Sequence, residues 1–372
     1  MKLHARRASK LLGGISSIAL ICLAPVNSRP ISTHLTGDRY LGLPPQKRER
    51  SNVPSFQAAL GKRLFFDSRL SGDGKVSCAT CHIPSHGFTD GRPFAIGIDD
   101  RKGTRNTPTL WNSAYFPRFF WDGRSQSLAE QALNPLFNPR ELGLRDPQQL
   151  LGTIRGDPTY RSAFRKAFGR RAINASDVAH ALASYEETLL AGNSPFDRYF
   201  YGHEPHAISM AAIRGLHLFR GRAQCASCHR ISRTYALFTD GSFHDEGVGL
   251  GHVAATLAAT SIRIARTPAG ELDRLITSDP RVAALGRFAL TKDPSDIGKF
   301  RTPSLRNVAL TAPYMHDGSV QTLRQAVEFE IYYRGLLSKR PLVLTPGDRS
   351  DLVAFLKSLT SPAAFQSQGS SR

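Results

Sequence analysis

The chain contains two cysteine–histidine motifs whose residue types and spacing could carry redox chemistry: Cys78-Ala-Thr-Cys81-His82 and Cys225-Ala-Ser-Cys228-His229. Two CxxC pairs can form a structural zinc site, but such pairs are usually separated by about 15–20 residues, and here the separation is far longer. A thioredoxin-like redox pair would require a βαβ context, which the sequence does not indicate. CxxCH is the attachment signature of c-type haem, in which both thiols form thioethers and the histidine ligates the iron. The motifs therefore predict two covalent haems, with His82 and His229 as iron ligands.

A repeated sequence frame surrounds the two motifs. Each motif follows a G-x-x-L-F sequence at the end of an apolar-periodic stretch, which predicts a helix leading into a haem loop. Further matches follow in the same order in both halves, and the paired segments are 61–65 with 215–219, 107–112 with 302–307, and 122–123 with 317–318. Such internal similarity predicts a duplication, with one small haem domain in each half.

The remaining pattern is mostly helical, so we expect a mainly α fold with two cytochrome c-like haem domains arranged as a pseudo-duplicated pair. Helical apolar spacing is found at 125–136, 319–331 and 350–360. The expected domains span residues 29–200 and 201–372. The second half carries an insertion, roughly residues 243–293, in which no motif is recognisable.

The first 28 residues have the pattern of a secretory signal peptide. Four basic residues precede an apolar run at 11–24, which is too short to span a bilayer, and small residues follow it. A retained anchor is the competing interpretation. No later segment reads as transmembrane, so we expect an exported, periplasmic protein without stable membrane insertion.

The formal net charge is +19, from 49 Lys and Arg residues against 30 Asp and Glu residues. The basic residues are scattered and no nucleic-acid motif is present, so a nucleic-acid partner is not expected. A generally basic surface accounts for this charge, and an acidic protein partner is the next interpretation.

Nearly the whole sequence after the first 28 residues resembles the bacterial di-haem cytochrome c peroxidases and their relative MauG, which oxidises a protein substrate. Besides the two CxxCH motifs, the resemblance rests on GTRNTPTL at 103–110, FFWDGRSQSLAEQALNPL at 119–136 and RTPSLRNVALTAPYMHDG at 301–318. The resemblance implies that hydrogen peroxide reacts at the N-terminal haem and that electrons pass through the C-terminal haem.

The resemblance also implies roles for individual residues. Trp121 matches the tryptophan that lies between the haems, and a large residue of the hydrophobic core is the alternative interpretation. Gln131 and Glu141 match distal-pocket groups over the peroxide-binding haem, where a carboxylate can take up and return a proton. Asn106 and the carbonyls of Thr311 and Pro313 match a calcium site, for which oxygen ligands are suitable.

This sequence departs from the family pattern at the distal position of each haem. Relatives that require prior reduction have a histidine at the end of an S-I-G-H segment, where this chain has Ile98. We therefore expect the first haem to have an open distal site. Classical members ligate the second haem with a methionine, and the register of this chain places Glu330 there. MauG-like proteins use a tyrosine, and Tyr332 and Tyr333 follow closely. An oxygen ligand from one of these three residues is expected, and it would lower the reduction potential.

Three functions are consistent with these features. The leading prediction is a di-haem c peroxidase that takes electrons from a small cytochrome c or cupredoxin, preferably an acidic one. The second is a MauG-like oxidase that spends peroxide equivalents on a protein side chain, which the missing methionine and histidine favour. The third is a non-enzymatic di-haem electron carrier, against which Gln131 and Glu141 argue.

Overall fold

The computed structural model describes residues 40–45, 55–169, 172–245, 247–337 and 341–364. The predicted signal peptide lies outside the described residues. The described part is mostly helical, as the sequence predicts. Its α-helices are α1 (Ser55–Phe65), α2 (Cys78–Cys81), α3 (Leu128–Phe137), α4 (Pro147–Gly156), α5 (Pro158–Phe168), α6 (Ala175–Glu186), α7 (Pro195–Phe200), α8 (Met210–Arg220), α9 (Leu250–Val253), α10 (Leu257–Arg266), α11 (Ala269–Ser278), α12 (Pro280–Ala284), α13 (Phe288–Thr291), α14 (Leu323–Leu337) and α15 (Pro346–Lys357).

Each haem motif is preceded by a helix that crosses a second helix at a glycine. In the first half, Gly61 of α1 lies against α6, where an added Cβ would come within 1.8 Å of the Ala181 carbonyl oxygen. In the second half, Gly215 of α8 lies against α15, where an added Cβ would lie 2.0 Å from the Asp351 carbonyl oxygen. The glycine of the repeated G-x-x-L-F sequence therefore permits the same close helix crossing in both halves.

The two halves are alike in other respects as well. Asn112 and Asn307 occupy matching positions and both adopt left-handed backbone angles, with φ of 62° and 61°. Each uses its side-chain oxygen to accept a backbone hydrogen bond from a distant segment, at Ala191 and Ser361 respectively. These parallels favour the predicted duplication, while the boundary near residue 200 stays a prediction.

The insertion folds into a small helical unit of its own. Strands β1 (Phe243–Asp245) and β2 (Lys299–Arg301) pair antiparallel and close its base. Helices α9–α13 lie between these strands and enclose a separate apolar core, which includes Ile264, Ile276 and Leu285. A stretch without a recognisable motif is thus an ordered element of the fold.

A buried ion pair joins four segments that are far apart in the chain. The guanidinium of Arg306, which is 1% exposed, donates to both carboxylate oxygens of Asp197 at 2.8 and 2.9 Å. It also donates to the carbonyl oxygens of Gly42 and Ala236.

Within the described residues, no helix is sufficiently long and apolar to traverse a lipid bilayer.

Candidate haem sites

The first CxxCH motif lines a cavity in the N-terminal half. Cys78 to Cys81 form the single turn α2, which begins with a capping box between Ser77 and Thr80. His82 ends this turn, and its Nδ1 lies 3.0 Å from the carbonyl oxygen of Phe88, so Nδ1 is the protonated donor. Burial lowers the pKa of His82. The neutral ring therefore leaves Nε2 as the atom that can ligate iron.

The second motif repeats this geometry beside a second cavity. Cys225–Ser227 form one turn, and Nδ1 of His229 donates to the carbonyl oxygen of Phe238 at 2.8 Å. Burial lowers the pKa of His229 to about 4, which keeps its Nε2 available as a ligand. Phe65 and Phe219 lie beside the two histidines at ring distances of 6.4 and 6.5 Å. Both motifs thus present a matched imidazole to a cavity.

The cavities and their linings fit c-type haems. All four motif cysteines are unbridged and lie beside the cavities, as thioether attachment requires. The empty space between the lining atoms is about 1390 Å³ in the first cavity and about 1670 Å³ in the second, including the parts open to solvent.

Arg301 adds a charged group that suits the haem propionates. Its side chain lines both cavities, and burial lowers its pKa to about 10. Among the residues that the structure describes, no carboxylate forms a salt bridge with it. A half-buried cation that borders both cavities is a suitable partner for carboxylate groups of the cofactors.

Gln131 and Glu141 both line the first cavity, and neither lines the second. Gln131 lies on α3, and Glu141 lies in the turn after it, where Asn138 Nδ2 donates to Glu141 Oε1 at 2.7 Å. Burial raises the pKa of Glu141, while the nearby Arg124 guanidinium acts in the opposite direction. The half-buried carboxyl of Glu141 and the amide of Gln131 therefore face the same cavity as His82.

Ile98 supports the loop that carries Glu141. Its backbone N–H donates to the Glu141 carbonyl oxygen at 2.9 Å, and its buried side chain lies against Gly143. Ile98 is not among the residues that line the first cavity. Ile98 stands where the S-I-G-H segment has its histidine. It packs against the loop that carries Glu141, and its side chain has no group that could ligate iron.

Trp121 lies between the two sites. Its side chain lines both cavities, and its Nε1 donates to the Asn106 carbonyl oxygen at 2.9 Å. Pro108, Thr109 and Phe116 also border both cavities. A fixed indole ring is therefore shared by the walls of the two haem sites.

The structure separates the three residues suggested as sixth ligands of the second haem. Glu330 lines the second cavity, whereas Tyr332 is 63% exposed. Tyr333 does not line this cavity, and its ring packs against Phe329 at 4.5 Å and lies close to Gly247. Glu330 is thus the one of the three that faces the expected position of the haem.

Several residues without a role predicted from the sequence also line the cavities. Met315 and His316 border the second cavity, and the ring of His316 stacks on Phe300 at 3.7 Å. Glu186 borders the first cavity; its Oε2 has no hydrogen-bond partner among the described residues, and burial raises its pKa to about 8. The repeat around the motifs could have indicated Met315 and His316, because they precede the matched Asp317-Gly318.

The residues suggested as calcium ligands, Asn106, Thr311 and Pro313, belong to two segments that a hydrogen bond connects. Asn106 is buried, and its Nδ2 donates to the carbonyl oxygen of Arg92, so a cation would be bound through its side-chain oxygen. The Asn106 backbone N–H donates to the His316 carbonyl oxygen at 2.8 Å, which ties it to the turn after Thr311 and Pro313.

Two cavities that each present a CxxCH motif define a di-haem c-type redox protein. The profile of the di-haem cytochrome c peroxidase family matches residues 55–205. The chain is 38% identical over 318 residues to the methylamine utilization protein MauG of Methylorubrum extorquens, with 83% of this chain and 80% of the relative covered. It is 37% identical over 334 residues to the cytochrome-c peroxidase IdrP1 of Pseudomonas sp. strain SCT, with 86% and 84% covered.

A solved structure is similar as well. The crystal structure of a MauG-like protein associated with microbial copper homeostasis superimposes with a TM-score of 0.70 and 31% identity, covering 88% of this chain and 95% of that chain. The chain therefore belongs to the di-haem cytochrome c peroxidase and MauG family, and two c-type haems are its cofactors.

Proposed function

We propose that the protein is a di-haem c peroxidase that reduces hydrogen peroxide at the His82 haem, with electrons relayed through the His229 haem from a small redox protein. The observation that carries this proposal is the asymmetry of the two cavities. The carboxyl of Glu141 and the amide of Gln131 line the first cavity, and His82 is the only histidine among the described residues that line it. Trp121 lines both cavities. Its relatives include proteins named cytochrome-c peroxidase.

The residues of the first cavity supply the proton transfers of the reaction. The haem held by Cys78, Cys81 and His82 would supply the redox chemistry for O–O cleavage. The complete reduction of one hydrogen peroxide consumes two electrons and two protons and yields two water molecules. Glu141 accepts a proton from the entering peroxide and returns it to the departing oxygen, and its burial raises its pKa, which favours holding the proton between the two transfers. Gln131 donates from its amide N–H groups and orients the peroxide oxygens.

The second cavity is the proposed entry point for electrons. The side chain of Trp121 provides an aromatic path from this cavity to the first. The excess of Lys and Arg residues favours an acidic cytochrome c or cupredoxin as the donor. The signal-like pattern of residues 1–28 and the covalent haems support export to the periplasm. Calcium bound by Asn106, Thr311 and Pro313 also belongs to this proposal.

A MauG-like oxidation of a protein side chain is the second candidate function. It is favoured by Glu330 at the position where classical members carry methionine, because an anionic oxygen ligand stabilises ferric iron. The 38% identity to MauG agrees with this alternative. Both functions use the same first cavity and differ in where the oxidising equivalents go.

Replacing Trp121 by phenylalanine tests the relay. We expect donor-driven peroxide turnover to fall about tenfold or more, which corresponds to about 1.4 kcal/mol or more on the barrier. The reaction of peroxide with the first haem should keep its wild-type rate in stopped-flow absorbance. Trp111 provides the matched control, because it is buried against Phe88 and lines neither cavity. Equal losses in W121F and W111F would contradict the relay.

Replacing Glu330 by methionine tests the sixth ligand. We expect the reduction potential of the second haem to rise on the order of 0.1 V or more, within the range of about 0.8 V that axial ligands span. Spectroelectrochemical titration of the holoprotein measures this potential directly. Tyr333→Phe is the control and should leave the potential of the second haem in place. A wild-type potential and spectrum in E330M would place the ligand elsewhere.

A further inference from the structure

The helical insertion forms part of the wall of the first cavity. Ile276 and Thr277, both on α11, line this cavity together with residues of the N-terminal half. The Thr104 hydroxyl donates to the Ile276 carbonyl oxygen at 3.1 Å. Arg105 donates to the Ala283 carbonyl oxygen at 2.9 Å. The insertion is thus attached by specific hydrogen bonds to the segment before Trp121.

An arginine of the first cavity is held by an acid from this insertion. Arg124 lines the cavity with its side chain 9% exposed, and its Nε donates to Asp273 Oδ1 on α11 at 2.6 Å. Its Nη1 lies 3.2 Å from both carboxylate oxygens of the fully buried Asp122. The guanidinium also stacks over the Phe120 ring at 3.4 Å. These contacts fix the plane of the guanidinium from three sides.

Asp122 cannot balance Arg124 alone, because it also pairs with Arg105. Arg105 Nη1 donates to Asp122 Oδ2 at 2.5 Å, and although burial opposes ionisation, Arg105 and Arg124 lower the pKa of Asp122 to about 2. One buried carboxylate thus faces two guanidinium groups. Asp273 supplies the second negative charge of the network, and its side chain is 45% exposed.

The pKa of Glu141 depends on the charges of Arg124 and Asp273. Burial raises its pKa, Arg124 lowers it and Asp273 raises it further. Besides Arg124 and Asp273, the titratable or charged groups around this cavity are Cys78, Cys81, His82, Arg105, Glu186 and Arg301. The positive charge of Arg124 favours the ionised form of Glu141, and the negative charge of Asp273 disfavours it.

We propose that Asp273, supplied by the insertion, is a positioning residue of the peroxide site that holds Arg124 beside the Glu141 carboxyl and offsets its charge. This proposal rests on the proposed function, since it assumes that Glu141 transfers protons over the first haem. The insertion then contributes to the acid–base behaviour of a site whose haem motif lies almost 200 residues earlier in the chain. If α11 moved away from Arg124, the ion pair with Asp273 would be lost. Arg124 would then pair with Asp122, which also pairs with Arg105.

Cyanide binding to the oxidised holoprotein tests this role without turnover. Hydrogen cyanide must lose its proton to ligate ferric iron, so Glu141 acts as the base and the association rate falls as the pH drops through its pKa. In Asp273→Asn, the amide oxygen can still accept from Arg124, but the negative charge that raises the Glu141 pKa is gone. We call the fall of the cyanide association rate at low pH the acid limb. In D273N we expect the acid limb to move to lower pH, so that the association rate at the acid end is about threefold higher than in the wild-type protein.

Matched variants separate charge from structure. Glu271→Gln removes the same charge from an exposed position on the same helix and should leave the acid limb in place. Asp273→Glu should restore the wild-type limb. An unchanged limb in D273N, even with lower thermal stability, would overturn the role of Asp273 and leave it only a structural contact.

Glu141→Gln keeps this result distinct from the proposed function. If the wild-type protein shows no acid limb, or if the limb persists in E141Q, the assignment of Glu141 and the proposed function fail together. If E141Q abolishes the limb and D273N leaves it at the wild-type pH, only the inference about Asp273 fails.

Discussion

Replacing Glu141 by glutamine is expected to lower peroxide turnover by about 10²- to 10⁴-fold, the usual contribution of a positioned acid–base group. Glutamine preserves the size of the side chain and still faces the cavity, but it cannot accept and return a proton. Stopped-flow absorbance of the holoprotein after peroxide addition measures the effect on the first step. Haem content determined in parallel confirms that both cofactors remain attached.

The pH dependence of this step gives a second readout. Burial raises the pKa of Glu141, and a base must be deprotonated before it can act. The rate of peroxide reaction in the wild-type protein should therefore rise with pH through that pKa, and the rise should be absent from E141Q. Glu130→Gln is the matched control, because Glu130 lies in the first turn of α3 and accepts from the Gln126 backbone N–H outside the cavity. Equal losses in E130Q and E141Q would contradict the role of Glu141.

Replacing Arg306 by methionine is expected to destabilise the protein by about 3–5 kcal/mol, because the buried Asp197 loses its partner. Both side chains are almost completely buried, at 1% and 0% exposure. Arg306 also donates to the Ala236 carbonyl oxygen, two residues before the Phe238 carbonyl that orients His229. Urea unfolding followed by the Soret dichroism of the haems measures the free energy of unfolding.

Two further variants identify the cause of this loss. Replacing both members of the pair by apolar residues of similar volume, R306M with D197L, should recover most of the stability, since no buried charge is left unpaired. Arg214→Met removes an exposed arginine that pairs with Asp351 at 2.7 Å and should cost far less stability than R306M, because solvent screens this pair. A double variant as unstable as R306M would show that Arg306 stabilises chiefly through its carbonyl contacts.

The helices around the motifs follow from local sequence pattern. Apolar spacing predicts α3 and α15, because each buries one face against a neighbouring helix. The prediction for α14 was less exact, since the helix begins at Leu323 and continues to Leu337. The hydroxyl of Thr322 accepts from the Gln325 backbone N–H and caps its start, which delays the first turn.

The haem motifs were accessible to sequence reasoning because attachment and ligation use residues adjacent in the chain. The role of the insertion was not, because it depends on the contact between Arg124 and Asp273, which are 149 positions apart. Nothing near Asp273 in the sequence distinguishes it from the exposed Glu271.

The stoichiometry of donor oxidation tests the central claim most directly. Fully oxidised holoprotein, without prior reduction, is mixed with one equivalent of hydrogen peroxide and an excess of a reduced small cytochrome c, and the oxidised cytochrome is counted. The account predicts rapid oxidation of two cytochrome molecules per peroxide, because the first haem is open from the start and Trp121 relays both electrons. Negligible cytochrome oxidation together with a lasting spectral change would contradict the peroxidase and favour oxidation of a protein side chain. Unchanged haem spectra would contradict peroxide chemistry altogether and indicate an electron carrier.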